Sequence, residues 1–191
     1  MDDQAAVAQS GKTRMKAGGM VEVLARDRTG HHVMKEMKWG LVPPHFQGYP
    51  DEWHGHTTHA RIETIDELPS YRECWTKKWR VLFLMEHYLQ KTTGMQDLFG
   101  NTAKEVRVKI GRADSKPMAV AGIYSAIKRP NGLFLSCAML TRPASAGLEE
   151  INDRFPLALE MDECRPWLDG AEDMDLLTPP AADRFLISLA S

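Results

Sequence analysis

What most restricts the fold of this chain is a succession of short apolar or alternating segments, each followed by turn residues rather than by a helix-length spacer. Residues 21–26 have strand composition, and Asp27-Arg28-Thr29-Gly30 has the turn chemistry to send the chain back along 32–38. Val106, Val108 and Ile110 alternate with Arg107 and Lys109, so a strand there turns the apolar set inward and two cations outward. Residues 118–124 and 133–140 are predicted strands on either side of Lys128-Arg129-Pro130-Asn131-Gly132, where Asn-Gly is a strong hairpin signal. Arg80 opens a continuous apolar run, 80–85, of the length of a buried strand, and 156–159 is a shorter one. Helical spacing is confined to 65–79, where Pro69-Ser70 precede Tyr71, Cys74, Trp75 and Lys78, and to short segments at 163–168 and 181–189. Adjacent hairpins without strand-helix-strand units predict an α+β fold with mainly antiparallel sheets flanked by short helices. Residues 91–103 read as a loop, and 1–19 as a mobile arm preceding one domain over 20–191.

Charge and motifs narrow the function. Lysine and arginine number 24 against 26 acidic residues, a net charge of −2, so no global field gathers polyanions and a nucleic acid would need a local basic groove. No run approaches the roughly 20 apolar residues of a membrane span. Met1-Asp2-Asp3-Gln4 lacks the basic and apolar regions of a signal peptide, and Cys74, Cys137 and Cys164 are odd in number and far apart. Both observations fit a reducing, cytoplasmic setting. In Trp39-Gly40-Leu41-Val42-Pro43-Pro44 the two prolines predict an exposed, stiff loop, with Trp39 either a lid on the core or a platform for a flat ligand. His54-Gly55-His56-Thr57-Thr58-His59 supplies imidazoles but no recognised ligand spacing, so solvated loop histidines are preferred to a metal site, and His31-His32 read as surface residues. The absence of a P-loop, a G-x-S-x-G elbow and a G-x-G-x-x-G turn removes the usual anchors of nucleotide and hydrolase readings, and no cofactor is implied. Ser136-Cys137 sits in an apolar strand as core. Arg61 with Glu63, and Asp153 with Arg154, are each either a structural ion pair or part of a site.

The order of several segments is more specific than any one of them. Trp39-Gly40-Leu41-Val42-Pro43, Ala60-Arg61-Ile62-Glu63-Thr64, Arg80 opening an apolar strand, Ala121-Gly122-Ile123-Tyr124, Met139-Leu140-Thr141, Asp153-Arg154-Phe155-Pro156-Leu157-Ala158-Leu159 and Trp167-Leu168 resemble the SOS-response-associated peptidase (SRAP) family from about residue 20 to 169. The resemblance implies a barrel-like core, a groove for single-stranded DNA, and capture of an abasic-site aldehyde by the cysteine after the initiator methionine. It also implies removal of the family's own short N-terminal extension. It further implies three helpers: an Asn before Ala-Arg, a Glu at the end of the strand after Arg, and a His before the Arg-x-Pro segment.

This sequence departs at each of those positions. Position 2 is Asp2, His59 stands for the Asn, Gln90 for the Glu ten residues after Arg80, and Asn152 for the His. Glu86 replaces Gln90 in that alignment if a gap is allowed. An amide cannot act as general acid or base, and losing one such group typically costs about 10²–10⁴ in rate. The expectation is therefore an SRAP-like protein of the DNA-damage response that binds single-stranded or abasic DNA with crosslinking and self-cleavage lost. Trp39, Pro43 and Arg61, with Lys77, Lys78 and Arg80, are its predicted DNA contacts. Two other readings remain open: a phage or mobile-element scaffold for a protein partner, and an active enzyme whose cysteine lies upstream, with Glu86 and His59 moving protons.

Overall fold

The computed structural model of the protein describes residues 16–92, 106–130 and 132–190. Most of the expected arm 1–19, most of the loop 91–103, and Asn131 lie outside the described residues.

β1 (Met20–Arg26) and β2 (His32–Trp39) form the first hairpin in the expected register, Met20 opposite Lys38 and Arg26 opposite His32. Its turn is held by Asp27, whose Oδ1 accepts from the backbone N–H groups of Thr29 (2.8 Å) and His31 (3.0 Å), with Gly30 at φ +88°. β4 (Arg80–Met85) pairs with β1 on one side and with β7 (Met118–Arg129) on the other. β7 forms a long hairpin with β8 (Gly132–Pro143), and β8 returns to β2 in parallel, closing a five-stranded barrel in the order β1-β2-β8-β7-β4. The mixed α+β, largely antiparallel reading holds. The parallel closures of β2 and of β3 (His59–Arg61) onto β8 join segments too far apart in sequence for hairpin logic to find.

Alternation divides the strands between two cores. Val23, Trp39, Phe83, Val120 and Met139 point into the barrel, and Leu24, Leu82, Ile123 and Leu140 point outward under a second layer. That layer is α1 (Pro69–Thr76) and α2 (Met161–Asp169), and burial on both faces explains why 80–85 is continuously apolar. Trp167 of α2 is fully buried and its indole N–H donates to the Val81 carbonyl at 3.0 Å. Gly122 faces the barrel interior, where a Cβ would stand 2.6 Å from the Phe83 ring and 2.8 Å from the Ala138 carbonyl oxygen.

A second sheet runs β11-β6-β5, from β5 (His87–Thr92), β6 (Val106–Arg112) and β11 (Phe185–Leu189). Three expectations are corrected here. β5 was not expected, because its polar residues fall on both faces. The helix expected over 181–189 is a 3-10 turn, Ala182–Arg184, followed by β11: Phe185 and Ile187 pack on a core that Leu186 and Ser188 avoid, and the edge of β6 supplies the hydrogen-bond partners. The strand expected at 156–159 is two, β9 (Arg154–Pro156) on β8 and β10 (Ala158–Leu159) on β7. The loop after Trp39 is also corrected. Leu41, Val42 and Pro43 are buried, and the Val42 N–H donates to Ser136 Oγ at 2.9 Å, so the exposed part of the loop begins only after Pro43. Among the described residues no helix is long and apolar enough to cross a membrane.

Candidate nucleic-acid interface

β3 is the edge of the large sheet and runs parallel to β8, His59 beside Met139 and Arg61 beside Thr141. Alternation buries Ala60 and turns His59 and Arg61 to the open side. The Trp39 indole N–H donates to the Thr58 carbonyl at 2.8 Å, and its ring meets that of His59 edge-on at 5.6 Å. Packing against this wall desolvates the imidazole and draws its pKa below the ordinary 6.5. Thr58 Oγ1 lies 3.1 Å from His59 Nδ1, and Tyr71 donates its hydroxyl proton to the His59 carbonyl at 3.0 Å.

The two local Arg-carboxylate pairs are not what forms. Arg154 instead reaches across to Glu63, forking onto both carboxylate oxygens, with Nη2 2.8 Å from Oε2. The same nitrogen donates to the Thr141 carbonyl (2.9 Å) and Oγ1 (3.1 Å), which ties β9 to the β3–β8 edge. The guanidinium holds the Glu63 carboxyl below the usual carboxylate range. Arg61 is left exposed, with no ion pair among the described residues.

Asn152 sits in the turn before β9, its Oδ1 accepting from the Arg154 backbone N–H at 3.1 Å. Gln90 is half-buried on β5 between Tyr88 and Thr92, and its Nε2 donates to the Lys91 carbonyl at 2.8 Å. Thr92 Oγ1 donates to the Glu150 carbonyl at 3.4 Å, which brings the end of β5 beside the turn that carries Asn152. Glu86 is exposed in the bend before β5, four residues or about 13 Å along the strand from Gln90.

The expected DNA contacts divide. Trp39, at 9% exposure, is packed on Phe83 with ring centres 5.5 Å apart, so of the two sequence readings it is the lid, and its faces offer little stacking surface. Pro43 is buried in the same wall. Lys77, Lys78 and Arg80 belong to another region, because β7 and β8 lie between β4 and β3. Lys77 pairs with Glu73 and Lys78 with Glu172, each at 2.6 Å. Arg80 is 5% exposed, its guanidinium 4.1 Å from the Trp167 ring centre and 4.9 Å from that of Trp75, with Nη1 donating to the Ala171 carbonyl. Sandwiched in this way, the arginine is part of the packing between α1 and α2. These three line a cleft of about 320 Å³ with Arg26, Tyr124 and Asp169.

A further aromatic surface comes from residues that sequence reasoning passed over. The loop that leaves the barrel after Trp39 and returns at His59 carries Tyr49, 72% exposed, and an edge-to-face pair, Phe46 and Trp53, with ring centres 5.2 Å apart. Arg129 Nη2 anchors this loop on the Gly48 carbonyl at 2.6 Å. The signal was present as aromatics interleaved with His and Gly between two strands. Among the described residues no three His, Cys, Asp or Glu side chains are grouped to hold a metal. Cys74, Cys137 and Cys164 are all buried, and burial pushes the first two thiols up to about 12.

Comparison with known proteins gives these observations a context. Residues 4–187 match the family model described as SOS response associated peptidase (SRAP). The abasic site processing protein YoqW of Bacillus subtilis (strain 168) is 30% identical over 136 residues, covering 70% of this chain and 56% of that protein, and its counterpart in Bacillus phage SPbeta matches equally. The abasic site processing protein HMCES of Gallus gallus is 26% identical over 159 residues, covering 75% of this chain and 47% of its own. The chain thus spans about half the length of the curated relatives it matches. A solved structure of a protein from Bordetella bronchiseptica shares the fold at a TM-score of 0.78 and 21% identity, over 93% of this chain and 86% of that one.

Proposed function

The chain belongs to the SOS response associated peptidase (SRAP) family, and from that membership we propose that it binds single-stranded DNA at an abasic site without crosslinking to it or cleaving itself. The backbone of the strand lies along the β3 edge against Arg61, bases beside the lesion rest on Tyr49 and Trp53, and the base-free sugar faces His59 and Asn152. Stacking contributes about 1–3 kcal/mol per base without sequence preference, and Arg61 makes the binding salt-dependent.

The observation that carries the loss of reaction is the chemistry of the polar positions. Gln90 and Asn152 have no usable pKa, and every cysteine of this sequence is buried in a core. Thiazolidine formation needs an accessible thiol beside a free amine and groups that shuttle protons during ring closure. A bound aldehyde meets hydrogen-bond partners here, and no accessible thiol among the described residues.

The reading is tested by incubating the protein with abasic single-stranded DNA and comparing native and denaturing gels. The expected result is a shifted band on the native gel that disappears on the denaturing one. A heat-stable shifted band would show that crosslinking survives. The near-neutral net charge of −2 favours one competing reading, the same scaffold docking a protein partner, and absence of DNA binding even at low salt would select it.

A further inference from the structure

Phe185-Leu186-Ile187-Ser188-Leu189 forms a sheet edge without the devices that usually block one. β11 pairs with β6 on one side and has no strand on the other among the described residues. The Ala113 N–H donates to the Arg184 carbonyl and the Ala190 N–H to the Arg107 carbonyl, both at 2.9 Å. Hydrogen-bonded pairs alternate along an antiparallel ladder, so the even-numbered residues of β11 turn their backbone groups toward β6, and Phe185, Ile187 and Leu189 turn theirs to the open side. The Ala182 carbonyl takes the Phe185 N–H. The N–H groups of Ile187 and Leu189 and the carbonyls of all three are left without a partner among the described residues. Other edges are protected: β3 carries His59 and Arg61, β5 carries His87 and Lys91, and β10 is two residues long. β11 has no charge and no proline, and its Leu186 and Leu189 are 58% and 65% exposed.

The sequence of this edge fits a second copy of itself. Two β11 strands related by a two-fold axis through Ile187 run antiparallel, with Ile187 opposite its own copy, Phe185 opposite Leu189 and Leu186 opposite Ser188. Outward backbone groups then meet outward groups: Ile187 exchanges both bonds with its copy, and each Leu189 N–H donates to the facing Phe185 carbonyl. A charge near such an axis would face its own sign, and this strand has none. The nearest charge, Arg184, is paired with Glu160 and falls opposite the uncharged Ala190.

We propose that the chain forms a two-fold dimer through β11, joining the small sheets of two copies into one continuous sheet. Five residues a side is far below the roughly 20–30 of a standard interface, so the dimer is weak, with a Kd of about 10–100 µM. DNA binding at the β3 edge is not required for it, because β11 and β5 lie on opposite sides of β6, and the end of β5 is what meets the turn carrying Asn152.

Sedimentation velocity on the full chain without DNA tests this. The parent should sediment mainly as a monomer at about 1 µM and mainly as a dimer at about 500 µM. Leu189→Pro removes an outward N–H and leaves the bonds to β6 in place. Leu186→Lys and Leu186→Glu each set like charges diagonally across the axis, about 7–8 Å apart. All three variants should keep the parental urea midpoint at low concentration and weaken the dimer at least tenfold. An equimolar mixture of Leu186→Lys and Leu186→Glu should regain it, since opposite signs then face each other. A parent that stays monomeric at the highest concentration would overturn the proposal and leave the edge to an extended segment of another protein. A dimer that survives all three substitutions would overturn it too, as would a mixture that stays monomeric.

Discussion

Arg61 closes β3 and Arg80 opens β4, both expected from the sequence to be cationic contacts, and the two regions use the side chain in opposite ways. At the β3 edge α1 covers the Ala60 side, with Tyr71 bonding the His59 carbonyl, while the opposite side is open and Arg61 stays in water with no ion pair among the described residues. On the opposite wall α1 and α2 cover the strands, and Arg80 is enclosed between two indoles with a carbonyl for one nitrogen. Burial pulls its pKa down, yet the guanidinium stays charged because two π faces and a backbone oxygen replace part of its water. Whether a cation in this fold is left open to solvent or becomes a strut is therefore decided by the layer above it. The largest effect that could break this contrast is Trp167→Ala, which removes a fully buried ring, the Val81 bond and one wall of the arginine cage. It should cost about 3–5 kcal/mol in urea denaturation. DNA affinity of the folded fraction should be unchanged, and a parallel loss of affinity would mean that the two regions act as one.

Most of the scaffold was legible in the sequence because its signals are local. Asp27-Arg28-Thr29-Gly30 and the turn after Arg129 state their hairpins, and the unbroken 80–85 run states a strand covered on both sides. Misreadings came where a partner distant in sequence decides the outcome. Residues 185–189 are a strand because β6 offers them an edge. Trp39 is a lid because Phe83 and the Thr58 carbonyl claim it. Glu63 pairs with Arg154, 91 positions away, where adjacency suggested Arg61. The chemical positions His59, Gln90 and Asn152 follow from the family pattern, and the structure sets two of them in local backbone hydrogen bonds, Gln90 to Lys91 and Asn152 to Arg154. The aromatic loop was missed because interleaved His, Gly and aromatic residues have no period to read.

The next effect in size sharpens the open side of the comparison. Arg61→Glu should weaken binding of a short single strand about tenfold at low salt, roughly 1.4 kcal/mol, and make the salt slope shallower by about 0.7. Its thermal stability should stay within about 0.5 kcal/mol of the parent, as expected for an exposed side chain. An unchanged Kd would remove Arg61 from the interface.

Glu63→Gln divides stability from binding at one position. It removes the charge that Arg154 clasps, costing about 1 kcal/mol at neutral pH for a partly exposed forked pair. Because the folded-state pKa of Glu63 lies below its unfolded value of 4.5, the contribution is complete above pH 4.5 and disappears as pH falls through the lowered folded value. Parent and variant should therefore differ at neutral pH and converge in acid. The freed Arg154 cation stands beside Arg61, so DNA affinity should rise while stability falls. A gap that persists at low pH would show that packing, not charge, holds the pair.

The smallest effect concerns His59, whose position links the barrel wall to the interface. Its folded-state pKa lies below the ordinary 6.5 because the neighbouring indole desolvates it, so between those two values the unfolded chain binds more protons than the folded one. Stability should accordingly decline slightly as pH drops through 6.5 and level off below the folded-state value. An NMR titration of the imidazole should give a midpoint under 6.5 in the free protein. Adding a short abasic strand should move that midpoint upward, since a phosphate placed within a few ångströms favours the imidazolium more than the extra burial disfavours it. A midpoint that stays fixed on saturation would put the strand elsewhere than the β3 edge, and one that moves further down would mean that the sugar rather than a phosphate covers the ring.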